Sequence, residues 1–342
     1  MENQVGSDSL RVPERNAFVK GWIVHPTFDI CFFANLYWIL FLIPGFSGNQ
    51  GTVFDFWQVY YLTLPHRWIT LFLVAFDPDR REGIGAWIIG ALIAPALLIC
   101  GLYGIFGDFR CLALVDFLWN AWHFGSQHYG ILRIYDRISS RKESIIEWFG
   151  IRWIVFYVLL RTVEWTFDWI QSDSVFSGIV QGIDIGTLCT VFFIIYLNIF
   201  TGFSKNIAKI IYLISALCLY GFLLLSLMFH FYRLSITFAT AVAMFHAVEY
   251  LSIVSHYAIR RNKAGTDGIF RQVSIRWLLV LSFFVIGLAS LGIIFDGPAE
   301  PAHTLWIGLN LWMALVHYSV DGMIWKLRRP QTARTFGLEP LK

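Results

Sequence analysis

Ten stretches of about 20 predominantly apolar residues follow one another along the chain, and they limit its possible folds more than any other feature. A helix of this length crosses the hydrocarbon core of a bilayer. The stretches are too continuous for barrel strands, which alternate apolar and polar residues over about ten positions. We therefore predict an all-α fold, a polytopic transmembrane helix bundle of about ten spans. The predicted spans are residues 27–46, 57–76, 84–105, 111–133, 148–171, 178–202, 207–229, 234–259, 275–295 and 302–325.

The composition supports this interpretation and excludes several classes of protein. Apolar residues make up 57% of the 342 residues and charged residues only 14%, against about 45–50% and about 25% in soluble domains. Soluble, nucleic-acid-binding and disordered proteins are excluded, because so little charged surface cannot keep this much apolar material in water. The expected partners are membrane lipids and a lipophilic small molecule, with no nucleic acid.

Lysine and arginine are concentrated in alternate loops, which predicts the direction of the spans. Loops 47–56 and 296–301, for example, contain neither residue. Since cytoplasmic loops carry the excess of Lys and Arg, both termini are predicted to be cytoplasmic. We predict a cytoplasmic N-terminal segment 1–26, a single transmembrane domain 27–329 and a cytoplasmic C-terminal tail 330–342. The protein would be a multi-pass protein of the bacterial inner (cytoplasmic) membrane.

Four predicted spans that run in the same direction each carry one histidine near the middle of the bilayer. They are His66, His123, His246 and His317. Their estimated depths differ by roughly 9 Å at 1.5 Å per residue, which is within the error of the span boundaries. An ionisable side chain inside a membrane is costly and marks a functional site by default. We therefore predict that these four histidines converge on one metal ion, although a proton-relay chain is an alternative.

Most of the other polar residues singled out share helix faces with the four histidines, at spacings of three, four, seven or ten residues. We predict that Glu249, Asp321 and Asp116 orient ligands or relay protons during catalysis. Further polar residues are predicted to contact the metal ligands without binding the metal themselves. They are Asn120, Gln127, His128, Tyr250 and His256. For His128, a position facing the cytoplasmic headgroups is an equal alternative.

The donor set limits the identity of the metal. Histidine with at most one carboxylate suits iron, zinc or copper and does not suit magnesium or calcium. Zinc would favour hydrolysis and iron would favour oxygen chemistry. A site at the middle of the bilayer is reached most easily by lipophilic substrates and by dioxygen. We therefore predict Fe(II), with dioxygen as co-substrate, ahead of zinc or copper.

Four short segments around the histidines resemble a known family. They are Leu64-Pro65-His66, His123-Phe124-Gly125, Phe245-His246, and Val316-His317 followed by Asp321. Their order and rough spacing are similar to the four histidine motifs of the bacteriorhodopsin-related Brp/Blh β-carotene dioxygenases. Those polytopic membrane proteins cleave β-carotene to retinal with iron and dioxygen. The resemblance covers spans 2 to 10 loosely.

The resemblance implies that His66, His123 and His246 bind iron, and His317 matches the last motif. The family has a further histidine four residues after the third one, where this chain has Tyr250 beside Glu249. The resemblance therefore implies a three-histidine site completed by His317 or Glu249. It also implies metal-dependent oxidation more firmly than β-carotene as the substrate.

Taken together, these observations predict an integral-membrane iron-dependent oxygenase that acts on a carotenoid- or isoprenoid-like substrate. A rival function from another class is a proton-coupled transporter, in which the same His, Glu and Asp residues form a relay. In a third alternative, a structural or lipid-sensing membrane protein, the polar stripes only hold helices together.

Overall fold

The computed structural model describes residues 20–41, 56–167, 175–201, 204–263, 269–295 and 300–338, and all regular secondary structure within these ranges is helical. The predicted all-α fold is confirmed for this part of the chain. Nine helices of 19 or more residues lie in the described ranges. They are α1 (Phe56–Phe76), α2 (Gly85–Phe106), α3 (Arg110–Ile138), α4 (Ile145–Phe167), α5 (Val175–Phe200), α6 (Ile207–Met228), α7 (Tyr232–Lys263), α8 (Trp277–Phe295) and α9 (Glu300–Ile324).

Each of these nine helices overlaps one of the predicted spans 2 to 10. Five helices in the described ranges are both long and apolar enough to cross a membrane: α2, α5, α6, most of α7, and α8. The predicted span ends at 42–46 and 168–171, and residues 1–19 and 339–342 of the predicted terminal segments, lie outside the described residues.

The first predicted span, residues 27–46, is not one continuous helix where the structure describes it. A short α-turn at Pro26–Phe28 leads into a π-helix at Asp29–Phe33, and a 3₁₀-helix follows at Leu36–Phe41. Asn35, in the left-handed conformation (φ 47°), interrupts the helix, and its amide donates to the carbonyl of Phe245 at 3.3 Å. The described part of the first predicted span is therefore interrupted at Asn35, where a polar side chain bonds another helix.

The helices differ in how much of their surface is buried. α6 and α7 are each 67% buried within their most apolar segment, whereas α8 is only 6% buried. Exposed leucine, isoleucine and phenylalanine side chains cover α8, which suits a helix that faces lipid. α6 and α7 therefore form the interior of the bundle and α8 belongs to its perimeter.

α3 and α4 approach each other closely at Gly125. A Cβ atom at Gly125 would lie 3.0 Å from the Cα atom of Arg152. Small residues at such positions allow the backbones of membrane helices to come together. Since Gly125 lies two residues after His123, this contact fixes the depth and rotation of α3 near that histidine.

A buried ion-pair cluster joins three helices at the opposite end of α3 from Arg110. The Lys209 ammonium group of α6 lies 2.8 Å from Asp136 of α3 and 2.7 Å from Glu147 of α4. All three side chains are about 1% exposed, so the buried Glu147 and Lys209 compensate each other, while Asp136 also pairs with Arg133 at 3.2 Å. The cluster fixes the register of α3, α4 and α6.

The segment after α9 is part of the folded bundle. It contains a short helix, Pro330–Thr335, and both Ala333 and Phe336 are buried. His256 stacks on Phe336, and its Nε2 atom lies 3.2 Å from the carbonyl oxygen of Thr335. Residues 330–338 of the predicted cytoplasmic C-terminal tail thus pack against the bundle. His256, predicted to support the metal ligands, instead contacts this segment.

Candidate metal centre

Four histidines from four helices meet inside the bundle. They are His66 of α1, His123 of α3, His246 of α7 and His317 of α9. The distance between imidazole ring centres is 5.0 Å for His66 and His246 and 5.1 Å for His246 and His123. It is 4.8 Å for His123 and His317 and 5.0 Å for His317 and His66. The four rings thus form a closed quadrilateral, here named the histidine ring. The helices touch in the same order, α1 with α7, α7 with α3, α3 with α9, and α9 with α1.

The Nε2 atoms of the histidine ring are buried and lack hydrogen-bond partners. This holds for all four histidines among the described residues. Nδ1 of His66 and Nδ1 of His246 are unpartnered as well. Buried polar atoms are nearly always hydrogen-bonded, so unpartnered nitrogens on four neighbouring rings call for a ligand. A metal bound to imidazole nitrogens at about 2.1 Å puts neighbouring ring centres roughly 5 Å apart. The observed ring spacing fits such an ion.

The ligand atoms fall into two overlapping groups. One nitrogen each from His66, His246 and His317 lie within 4.8 Å of one another, and so do atoms of His123, His317 and Asp321. His317 belongs to both groups and is fully buried. This arrangement favours His317 over Glu249 as the fourth member. Nitrogen ligands with one carboxylate suit iron, zinc or copper.

The orientation of His317 is set by Thr70 of α1, whose hydroxyl oxygen lies 2.7 Å from Nδ1 of the imidazole. The Thr70 hydroxyl proton has two acceptors beside it, Asp321 at 3.2 Å and the Tyr250 oxygen at 2.6 Å. With its proton given to either of them, the Thr70 oxygen accepts from Nδ1–H of His317, which leaves the lone pair on Nε2, a nitrogen without a hydrogen-bond partner. A hydrogen bond of this kind to the remote nitrogen fixes the tautomer of metal-binding histidines.

Asp321 lies beside the histidine ring and is held by hydroxyl groups. The Tyr250 hydroxyl donates to its carboxylate at 2.6 Å, and the indole N–H of Trp325 donates to the Tyr250 oxygen at 3.2 Å. One carboxylate oxygen of Asp321 is 3.9 Å from Nε2 of His123. Asp321 and Tyr250 therefore lie beside His317, at 3.7 Å from its Nδ1 atom and at 5.0 Å between ring centres, respectively. The contribution of Trp325 was missed.

Phe124 packs against His246 on the side of α3. The two rings are nearly parallel, at an interplanar angle of 19°, with centres 3.7 Å apart. Phe124 directly follows His123, so one turn of α3 supplies both a ring histidine and the aromatic surface that restricts another. The stacking restricts the His246 ring and covers it with an apolar face.

Asp116 and Asn120 are connected to the histidine ring through Tyr318. Both accept hydrogen bonds at 3.0 Å from the hydroxyl of Tyr318. The Tyr318 ring in turn contacts the His123 ring at 4.9 Å between centres. Asp116 therefore belongs to neither group of ligand atoms, and its effect on His123 passes through Tyr318. The aromatic character of Tyr318 concealed this connection in the sequence.

A second polar cluster surrounds Glu249. The carboxylate accepts from the amide of Gln127 at 2.9 Å and lies 3.2 Å from Nδ1 of His128. The hydroxyl groups of Tyr212 and Tyr220 lie 2.8 and 3.1 Å from the two nitrogens of His128. Gln127 also donates to the carbonyl oxygen of His246 at 3.0 Å. The predicted role of Glu249 as an alternative ligand is thus not favoured, and His128 faces the protein interior rather than headgroups.

A cavity of about 770 Å³ reaches the histidine ring from one side of the bundle. His123, Tyr250 and Asp321 form its inner wall, and the exposed side chains of Trp119 and Trp122 form part of its rim. The cavity is large enough for a small molecule with a long chain. It therefore gives a lipophilic ligand access to the buried histidines.

Comparisons with known proteins found no match of this chain to a protein-family model, to a curated protein or to a solved structure.

Proposed function

We propose that this protein is an integral-membrane oxygenase that uses iron held by the histidine ring and dioxygen to oxidise a lipophilic substrate. The observation that carries the proposal is that four histidine rings lie 4.8–5.1 Å from their neighbours and that their buried Nε2 atoms have no hydrogen-bond partner. The cavity that joins the ring to exposed tryptophans supports a substrate that arrives from the lipid. The resemblance of the histidine segments to the Brp/Blh dioxygenases favours an isoprenoid-like substrate.

The residues around the ring have separate roles in this proposal. Bound iron would supply the activation of dioxygen. Thr70 holds His317 with its Nε2 atom toward the ring, and Phe124 keeps water from one face of His246. The Asp321 carboxylate, held by Tyr250, lies 3.9 Å from Nε2 of His123, where it can accept or return a proton beside the substrate.

We also propose ten membrane spans with both termini in the cytoplasm of a bacterium. Alternating basic and non-basic loops support this topology. The first span would consist of the interrupted helical segments at 26–41 and the residues after them. Labelling from either side of sealed vesicles tests it, with a cysteine introduced at Lys142 or at Thr304 in a variant whose five native cysteines are replaced by serine or alanine. The topology requires that Lys142 react from the cytoplasmic side and Thr304 from the other.

Metal analysis of detergent-purified protein tests the proposed metal centre. We expect about one iron per chain in the wild type. His123→Ala and His246→Ala should each lose it, whereas His230→Ala, in which an exposed histidine outside the ring is removed, should retain it. Wild-type protein that folds normally but binds no transition metal would overturn the proposal, and proton-coupled uptake by such protein in vesicles would identify a carrier instead.

A further inference from the structure

The cavity beside the histidine ring is not uniform along its length. Its inner wall contains His123 and Asp321, and aromatic side chains surround the middle. Its other end is strongly basic. Five cations line the cavity, Arg133, Arg137, Arg152, Lys326 and Arg328, against only two carboxylates, Glu143 and Asp321.

The basic end is built from two elements that touch. Arg137, near the end of α3, donates to the carbonyl oxygen of Leu327 at 2.8 Å. Lys326 and Arg328 flank Leu327 in the chain and are exposed. The cations of α3 and of the segment after α9 therefore meet at one end of the cavity, which we name the basic end and define by Arg133, Arg137, Lys326 and Arg328.

Nearby carboxylates neutralise only part of this charge. Arg133 pairs with Asp136 at 3.2 Å, but that carboxylate is shared with Lys209. Lys326 and Arg328 have no ion-pair partner among the described residues. Basic loops are common beside membranes, but here the cations line a cavity that continues to a buried polar site. Such a cavity attracts an anion and holds it by charge-assisted hydrogen bonds.

The spacing along α3 defines the length of a fitting ligand. Arg133 and Arg137 follow His123 by 10 and 14 residues, which corresponds to about 15 and 21 Å along the helix axis. Arg152 lies between these ends, under Trp148 and Tyr129 and bonded to Ser126. An extended alkyl chain of about sixteen carbons covers this distance. Its far part would lie against the tryptophans and the histidine ring.

We propose that this cavity binds an anionic amphiphile, a long alkyl or isoprenoid chain that carries a carboxylate or phosphate at one end. The acidic group lies at the basic end, and the chain extends to His123. The inference deepens the proposed function, because it rests on the same site and names an acidic lipid as the substrate class. A neutral hydrocarbon would give Lys326 and Arg328 no counter-charge.

Equilibrium binding of radiolabelled palmitate to the full-length protein in a neutral detergent tests the inference. Hexadecanol is the neutral ligand of equal length, and hexadecyl phosphate and inorganic phosphate are competitors. We expect palmitate to bind about tenfold or more tightly than hexadecanol, because the acidic group adds charge-assisted contacts. Hexadecyl phosphate should displace palmitate and inorganic phosphate should not. Equal binding of palmitate and hexadecanol, or equal displacement by the two phosphates, would overturn the inference.

A pair of charge-matched variants locates the acidic group. The double variant Lys326→Gln/Arg328→Gln should weaken palmitate binding about tenfold and leave hexadecanol binding unchanged. Lys142→Gln/Lys205→Gln removes two exposed cations that do not line the cavity and should leave both unchanged. Palmitate binding that is insensitive to the first variant contradicts the assignment. Wild-type palmitate binding should also weaken with added salt, a readout that requires no variant.

Palmitate binding and iron content, both measured before and after treatment with a chelator, separate this inference from the proposed function. If the protein binds palmitate but never contains iron, the inference holds and the proposed oxygenase function fails. If the protein contains iron but binds palmitate and hexadecanol equally, the proposed function holds and the inference fails.

Discussion

The hydroxyl oxygen of Thr70 lies 2.7 Å from Nδ1 of His317, although the two residues are 247 positions apart in the chain. This contact engages Nδ1 and leaves Nε2 of His317 without a partner, in a ring that lies 5.0 Å from that of His66 and 4.8 Å from that of His123. It explains how an imidazole on α9 is oriented by a side chain on α1.

Replacement of Thr70 by valine should weaken metal binding without unfolding the protein. Valine has a similar shape but cannot accept the Nδ1 proton of His317, and loss of such a contact typically lowers metal affinity about 10–100-fold. Competition with a chelator of known affinity measures the change. Thr70→Ser should restore most of the affinity. Thr190→Val, which removes a hydroxyl bonded only to its own helix, should have no effect, and an equal loss there would contradict this explanation.

Glu249→Gln should retain metal, whereas His317→Ala should lose it. The Glu249 carboxylate is occupied by Gln127 and His128, while Nε2 of His317 belongs to the ring. The metal content of the two purified variants, with wild type alongside, decides between the alternatives for the fourth ligand. Loss of metal in Glu249→Gln with retention in His317→Ala would reverse the assignment.

Gly125→Ala should destabilise the bundle by about 1–3 kcal/mol, because the added methyl group meets the backbone of Arg152. Gly130→Ala on the same helix is a matched control, since a methyl group there meets nothing within 4 Å. The control should be neutral or stabilising by up to about 1 kcal/mol. Unfolding in a denaturing detergent measures both free energies. Similar values for the two variants would show that α3 and α4 are not in tight contact.

Lys209→Met should cost about 3–5 kcal/mol of folding free energy, because the buried Glu147 would lose its cation and Asp136 would keep Arg133 but lose its closest one. Lys205→Met, four residues earlier and exposed, serves as the control and should change stability little. The same detergent titration, or the thermal midpoint of the purified protein, gives the difference. If Lys209→Met is as stable as wild type, the two carboxylates must be neutral in the folded protein.

Much of the fold could be predicted from the sequence, because the length of an apolar stretch determines whether a helix can cross a bilayer. The predicted spans 2 to 10 therefore coincide with long helices. The break in the first span could not be predicted. It depends on the hydrogen bond from Asn35 to the carbonyl of Phe245, a residue 210 positions away, and no local pattern indicates such a contact.

For the candidate site, the sequence predicted the depth of the four histidines in the membrane but not the rotation of each helix about its axis. Counting residues from the estimated ends of the spans placed four histidines at one level. It could not separate His246 from Glu249, which are three residues apart and point only about 60° from each other on a helix. In the structure, His246 belongs to the histidine ring and Glu249 contacts His128. That difference depends on how α7 packs against α3 and α6.

The histidine ring joins helices from distant parts of the chain, and the first and last of them carry Thr70 and His317. During synthesis, α1 emerges long before α9, so the ring cannot close until most of the polypeptide has been made. An ion that enters then stabilises only the completed bundle, because binding free energy adds to folding free energy. The supply of metal to growing cells should therefore govern how much of this protein survives quality control.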